Sequence, residues 1–255
     1  MATSRHRPST ASPSTTDSPP RPGSPPVVRA TRPPGHGAAA GGVPSPTRPR
    51  LRGWLHLGAF PAVLVAGLVL VALGPTLQAR LASAVYVAAS GLLFGISGTY
   101  HRQRSTRLIE LLRRFDHANI YLIIAGTYTP FAVVALDGAT RVGVLAVVWT
   151  GAVAGVIFRT TWVGAPRWLY VTLYIALGWV AVFFMPQFLE GAGIAACVLV
   201  AAGGIAYSVG GVVYGLRRPD PSPSWFGFHE VFHACTLAAY VLQYVAVSLV
   251  VYQSA

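Results

Sequence analysis

From Leu51 onward, apolar runs of bilayer-spanning length follow one another with only short polar or turn-rich pieces between them. Each comes near the ~20 residues that a helix needs to cross the hydrocarbon core. Seven such runs stand at about 54-74, 81-100, 117-136, 142-158, 168-186, 192-214 and 230-252. The expected fold is an all-α integral membrane protein, a bundle of seven transmembrane helices. Composition agrees: 53% of the residues are hydrophobic and 10% charged, whereas soluble domains carry about 25% charged residues. The fourth run is the shortest, and "WTGAVAGVIF" would be the first to drop out if the count were six. Pro130, in the middle of the third run, is expected to kink its helix and free a carbonyl that neighbouring Thr hydroxyls help to satisfy.

Residues 1–50 have the opposite character. They hold twelve of the twenty prolines, seven arginines and a single acid, Asp17. Such a segment has too little apolar surface for a packed core. It is expected to be a disordered, solvated cytosolic tail, and 51–255 the membrane domain. No apolar run of signal length precedes Leu51, so a cleavable signal peptide is not expected here. The arginines of the tail are dispersed rather than clustered, which argues against a nucleic-acid-binding arm.

All nineteen basic residues are arginine. Without a lysine there is no Schiff base of the kind a retinal pigment needs. Arg5, Arg7, Arg21, Arg29, Arg32, Arg48, Arg50 and Arg52 precede the first run, and Arg102, Arg104, Arg107, Arg113 and Arg114 lie between the second and third. Arg159 and Arg167 follow the fourth, and Arg217 and Arg218 the sixth; the alternate loops have only Arg80 and Arg141. The positive-inside rule then puts the N-terminus in the cytosol and the C-terminus outside. The expected location is the cell membrane, crossed several times. Cys197 and Cys235 lie in apolar runs without partner spacing and read as small packing residues.

The last run opens with His229-Glu230-Val231-Phe232-His233. On a helix, His-Glu-x-x-His is the zincin signature, two imidazoles one turn apart with Glu as general base. A zincin also needs a further ligand downstream, and no Asp, Glu or His follows His233. Partners must therefore come from earlier in the chain. The topology brings the ends of runs two, three and seven to one membrane depth. Run two ends in "SGTYHR", with Ser97 and His101 on one helical face. Run three begins "RRFDHANIY", with Asp116 and His117. His229 and His233 lie about 40° apart around their helix and can aim at one point. Imidazoles and a carboxylate thus meet at the inner leaflet, and three His around one open position is the donor set of a catalytic zinc.

The stretches "SGTYHR", "FDHANIYLIIAGTYTPF", "GGIAYSVGGVVYGLRRPDP" and "FGFHEVFH" resemble the haemolysin III family, the bacterial branch related to the progestin and adipoQ receptors that include the adiponectin receptors. The resemblance covers about residues 51 to 255. It implies a seven-helix membrane protein with a zinc near the cytosolic face, held by His101, His229 and His233. In the related receptors and the similar alkaline ceramidases, an Asp and a Ser at the positions of Asp116 and Ser97 sit by the water on the metal. The resemblance therefore implies a catalytic part for Asp116 and Ser97 and leaves Glu230 as a rival base at the rim. His56 and His117 read as interfacial residues bonded to water or headgroups.

The function expected on these grounds is zinc-dependent hydrolysis of a membrane-lipid amide or ester. Two other readings stand beside it: a non-enzymatic sensor with a structural zinc, and a membrane-perturbing cytolytic factor. The last fits less well, because no run carries the polar stripe that an aqueous pore would need.

Overall fold

The computed structural model describes residues 49–103 and 105–253. The tail expected over residues 1–50 lies outside the described residues except for its last two, as does Arg104. Apart from an isolated bridge between Ser222 and Phe226, regular structure among the described residues is helical. Helices α1 (Trp54–Leu73), α2 (Leu77–Tyr100), α3 (Thr106–Ala135) and α4 (Gly138–Thr161) are followed by α5 (Arg167–Gly178), a 3₁₀ segment (Trp179–Phe184), α6 (Met185–Leu216) and α7 (Phe228–Tyr252).

Six helical stretches among the described residues are long and apolar enough to cross a membrane. Four are α1, α2, α4 and α7, the third is Arg107–Ala135, and the fifth, Arg167–Leu216, runs for 50 residues. The runs expected at 168-186 and 192-214 both fall inside that fifth stretch. No long polar loop separates them: the boundary has only Gln187, Glu190 and two glycines besides apolar residues. The helical path is interrupted at Gly193, whose φ of 78° and ψ of 164° are non-helical. That backbone region suits a residue without a side chain. Nearby, Gly191 packs directly on the Ala135 carbonyl at the end of α3.

Two expectations need correction. Helix α4 spans 24 residues and is not the short one; α5, with 12, is. Polar ends lengthen α4: Thr160 and Thr161 donate to the carbonyls of Val156 and Ile157 in the preceding turn. In α3, which continues through Pro130, the threonine hydroxyls do not serve the carbonyl that Pro130 frees. Thr127 donates to Ile123 and Thr129 to Ala125, each one turn back. That is the usual fate of Thr in a helix.

The bundle is apolar inside and out, as expected for helices surrounded by hydrocarbon. Tyr86, Phe94, Tyr121, Val144 and Val247 are buried in the core, whereas Phe183, Ile194 and Leu68 are largely exposed on the outer surface. Small residues let α6 and α7 approach closely: a Cβ at Gly210 would stand 2.9 Å from that of Cys235. This is the glycine-mediated packing common between membrane helices. Cys197 and Cys235 are free thiols. The two arginines at the sparsely charged end close helices. Arg80 Nε donates to the carbonyl of Gly74 after α1 at 2.7 Å, and Arg141 Nε to that of Leu136 after α3 at 2.6 Å. Both satisfy carbonyls that a helix end leaves without partners.

At the opposite end the first and last helices are tied together. Arg50 and Leu51 donate their backbone N–H groups to the carbonyls of Ser224 and Trp225. Arg52 forms an ion pair with Glu230, whose other oxygen accepts from the backbone N–H of Gly227 at 2.9 Å. Glu230 thus caps α7 and binds α1 with the same carboxylate, and it is 2% exposed.

Removing Arg52 would strand this buried charge. Arg52→Ala should cost about 3–5 kcal/mol, read as a lowered unfolding midpoint of the detergent-solubilised protein. An unchanged midpoint would show that the pair does not hold the helices together.

Candidate metal centre

Three of the sequence-predicted residues meet at the arginine-rich end of the bundle. His101 follows the last turn of α2, its backbone N–H bonded to the carbonyl of Ser97 at 3.1 Å. His229 and His233 lie on one face of the first two turns of α7. Their ring nitrogens lie within 4.8 Å of one another. The Nε2 atom of His229 is 3.0 Å from Nε2 of His101 and 2.9 Å from Nε2 of His233. His101 and His233 are buried and His229 is half-buried.

Hydrogen bonding alone does not account for this convergence. One ring nitrogen carries either a proton or a lone pair, so Nε2 of His229 cannot donate to one neighbour and accept from the other. A cation accepts all three lone pairs at once. Ligand nitrogens in a tetrahedral zinc site stand about 3.3 Å apart, given bonds of ~2.0–2.1 Å. The two separations from His229, 3.0 and 2.9 Å, are within a few tenths of an ångström of that value. The donor set therefore fits a metal ion.

Ser97 is buried one turn before His101, and Asp116 is half-buried on α3. Their side chains lie in hydrogen-bonding reach of each other. Both line a chamber that also contains His229 and His233 and continues between the helices as far as Phe188 and Gln243. The chamber has about 170 Å³ of free space, roughly ten times what one water needs. Its walls are mostly apolar, with residues such as Leu93, Ile120 and Phe131.

Glu230 is a different case. Its two carboxylate oxygens are engaged by Arg52 and Gly227, and it does not contribute to the walls of this chamber. The middle acid of His-Glu-x-x-His is a cap and a tie.

Of the two histidines expected at the interface, His56 is inside the bundle and His117 is half-buried at the arginine-rich end. His117 has Nδ1 2.7 Å from the Arg113 carbonyl and Nε2 3.2 Å from the Tyr214 hydroxyl. His56 is 2% exposed. Its ring stacks on His233 with centroids 3.9 Å apart and meets the edge of Phe94. Neither His56 nitrogen makes a hydrogen bond of proper geometry, although the His233 backbone is nearby. Sequence reading missed this contact. The available signal was its place in the first turn of an apolar span, where an ionisable residue usually faces the interior.

Gly53 positions His101. Its φ is +80°, and a Cβ there would lie 2.5 Å from the His101 Cβ. A side chain would be strained by the backbone and would also push into the imidazole's point of attachment.

Residues 45–244, which include every residue named in this site, match the family described as Haemolysin-III related. The chain is 34% identical over 139 residues to Hemolysin-3 of Bacillus cereus, covering 54% of this chain and 64% of that one. It is 33% identical over 141 residues to the Hemolysin-3 homolog of Bacillus subtilis (strain 168), covering 54% and 65%. The match thus spans just under two thirds of the length of these relatives.

Gly53→Ala should displace His101 and weaken metal binding about 10- to 100-fold, the usual penalty for disturbing the support of a ligand. Titration with Co²⁺, followed by its visible absorption, measures this while circular dichroism reports helix content. Equal affinity in the variant would show that Gly53 does not set the ligand.

Proposed function

The chain belongs to the haemolysin III family, and from that premise we propose that it is a zinc-dependent hydrolase of a lipid amide or ester, with the metal held by His101, His229 and His233. The observation that carries this reading is the convergence of three Nε2 atoms at an apolar chamber whose wall also carries Asp116. An imidazole-only donor set suits several transition metals, and the family resemblance favours zinc. Zinc with three imidazoles keeps one open position, where it supplies Lewis acidity and acidifies water toward neutral pH.

The protein's own residues supply the rest. Asp116 accepts a proton as an acyl carbon is attacked and returns it to the departing amine or alcohol, the work of a general base and then a general acid. Ser97 holds the Asp116 carboxyl toward the imidazoles. The apolar walls take the hydrocarbon part of the substrate and keep bulk water away.

The same reading has seven spans, with the N-terminus and the tail over residues 1–50 in the cytosol, the membrane domain at 51–255 and the C-terminus outside. A straight helix of 50 residues would be about 75 Å long, more than twice the ~30 Å of the hydrocarbon core. The stretch Arg167–Leu216 is therefore read as two crossings that reverse near Gly193. The distribution of arginine supports the orientation. In a background with Cys197 and Cys235 replaced by Ala, a membrane-impermeant maleimide should label Asp137→Cys in intact cells. It should label Ser224→Cys only after permeabilisation, and the reverse pattern would invert the topology.

Elemental mass spectrometry of protein purified without chelator should find about one zinc per chain, lost in His101→Ala and in His229→Ala. Asp116→Asn should keep the zinc and lose about 10²–10⁴-fold in turnover of a lipid amide or ester. Absence of metal from folded wild-type protein would overturn the reading. Bound zinc without turnover of any lipid would leave the metal a structural role.

A further inference from the structure

Beside the imidazole cluster, and separate from the apolar chamber, lies a polar cleft bordered by Arg52, Arg113, Arg159 and Arg167. His117 and His229 line both spaces, so single side chains separate them. The charge in this cleft is unbalanced. Arg52 is matched by Glu230, but none of the ion pairs among the described residues includes Arg113, Arg159 or Arg167. The acid in the cleft wall, Asp220, accepts from the backbone N–H of Phe228 at 2.8 Å.

Two of these guanidinium groups are held in place with donors to spare. Arg159, on α4, is 3% exposed. It lies over the Tyr170 ring at 4.4 Å, and one terminal nitrogen donates to the carbonyls of Trp162 and Val163 at 3.2 and 3.4 Å. Its Nε has no partner. Arg167, at the start of α5, lies over Tyr214 at 5.0 Å and has a buried terminal nitrogen without a partner. A buried polar group normally finds a partner, and a buried charge left unpaired is strongly destabilising. Two such cations in one cleft, with exposed Arg113 also lining it, call for an anion with several acceptor oxygens. Phosphate satisfies arginine forks from more than one direction, which a single planar carboxylate does not.

We propose that this cleft is a phosphate-binding site, built by Arg159 and Arg167 with Arg113 also lining it, for a phosphate group carried by a lipid headgroup or free in solution. Its cations are not among the predicted metal ligands, although His101 and His229 also line the cleft. If the hydrolase reading also holds, the cleft sets the class of substrate as a lipid bearing phosphate, with its chain in the chamber and its headgroup in the cleft; that extension alone rests on the hydrolase reading.

The test is calorimetric titration of inorganic phosphate into the full chain in a maltoside detergent, together with native mass spectrometry after exposure to phosphatidic acid or to the matching diacylglycerol. Saturable phosphate binding is expected, weakened about tenfold or more in Arg159→Gln and Arg167→Gln. It should be unchanged in Arg217→Gln, which removes an equal charge from an exposed site outside the cleft. Arg167 is only half-buried, so its variant keeps the test usable if Arg159→Gln does not fold. Retention of phosphatidic acid over diacylglycerol identifies a headgroup site; phosphate binding without that preference identifies a site for a soluble anion. Lack of saturable binding in the wild type overturns the proposal. So does a loss confined to His101→Ala, which would assign the phosphate to the metal, or an equal loss in Arg217→Gln, which would make the effect one of diffuse charge. The metal content of the same samples reports separately on the hydrolase reading.

Discussion

Hydrocarbon offers no hydrogen-bonding partner to a peptide group, so the chain has to satisfy its backbone within helices and keep most of its polar side chains for their ends. The organisation of the bundle depends on this constraint. Helix ends provide polar groups at two depths, and the chain uses the two sets differently. At one end Arg80 and Arg141 close the helices by bonding their last carbonyls. At the other, the histidines, Asp116, Glu230 and most of the described arginines share a crowded polar layer. A reactive group can be placed there without crossing the apolar interior, while the chamber leads from that layer into the bundle.

Within that layer, similar residues do different work according to what surrounds them. Glu230 and Asp116 are both carboxylates near the imidazoles, yet Glu230 is taken up by Arg52 and the cap of α7, while Asp116 faces the chamber with Ser97 beside it. His56 and His233 are both deep in the bundle, but His233 turns a nitrogen toward the cluster and His56 presents a ring face. Arg52 has a partner for its charge; Arg159 and Arg167 lie over tyrosine rings.

Much of this was legible from the sequence because it depends on short spacing. His229 and His233 share a face because they are four residues apart, and Ser97 and His101 for the same reason. The positions of apolar runs located the helices but not the way that one continues into the next. Around Gly193 the backbone angles, rather than any polar loop, separate the two pieces. The engagement of Glu230 by Arg52 was not legible, because it joins residues 178 apart and the local motif suggests a different role. His56 was misread because burial against Phe94 and His233 depends on how α1 leans on its neighbours, which periodicity does not specify.

His101 and His229 are separated by 128 residues, and the helix that carries His229 and His233 is synthesised after the other described helices. During biosynthesis the ribosome therefore adds 128 residues after His101 before a second imidazole of the cluster exists to face it. A protein stalled or clipped ahead of α7 would hold one histidine of the cluster and offer a metal no chelate. Synthesis of α7 and assembly of the histidine cluster are thus coupled, and the cluster exists only in molecules in which that helix has been made and packed.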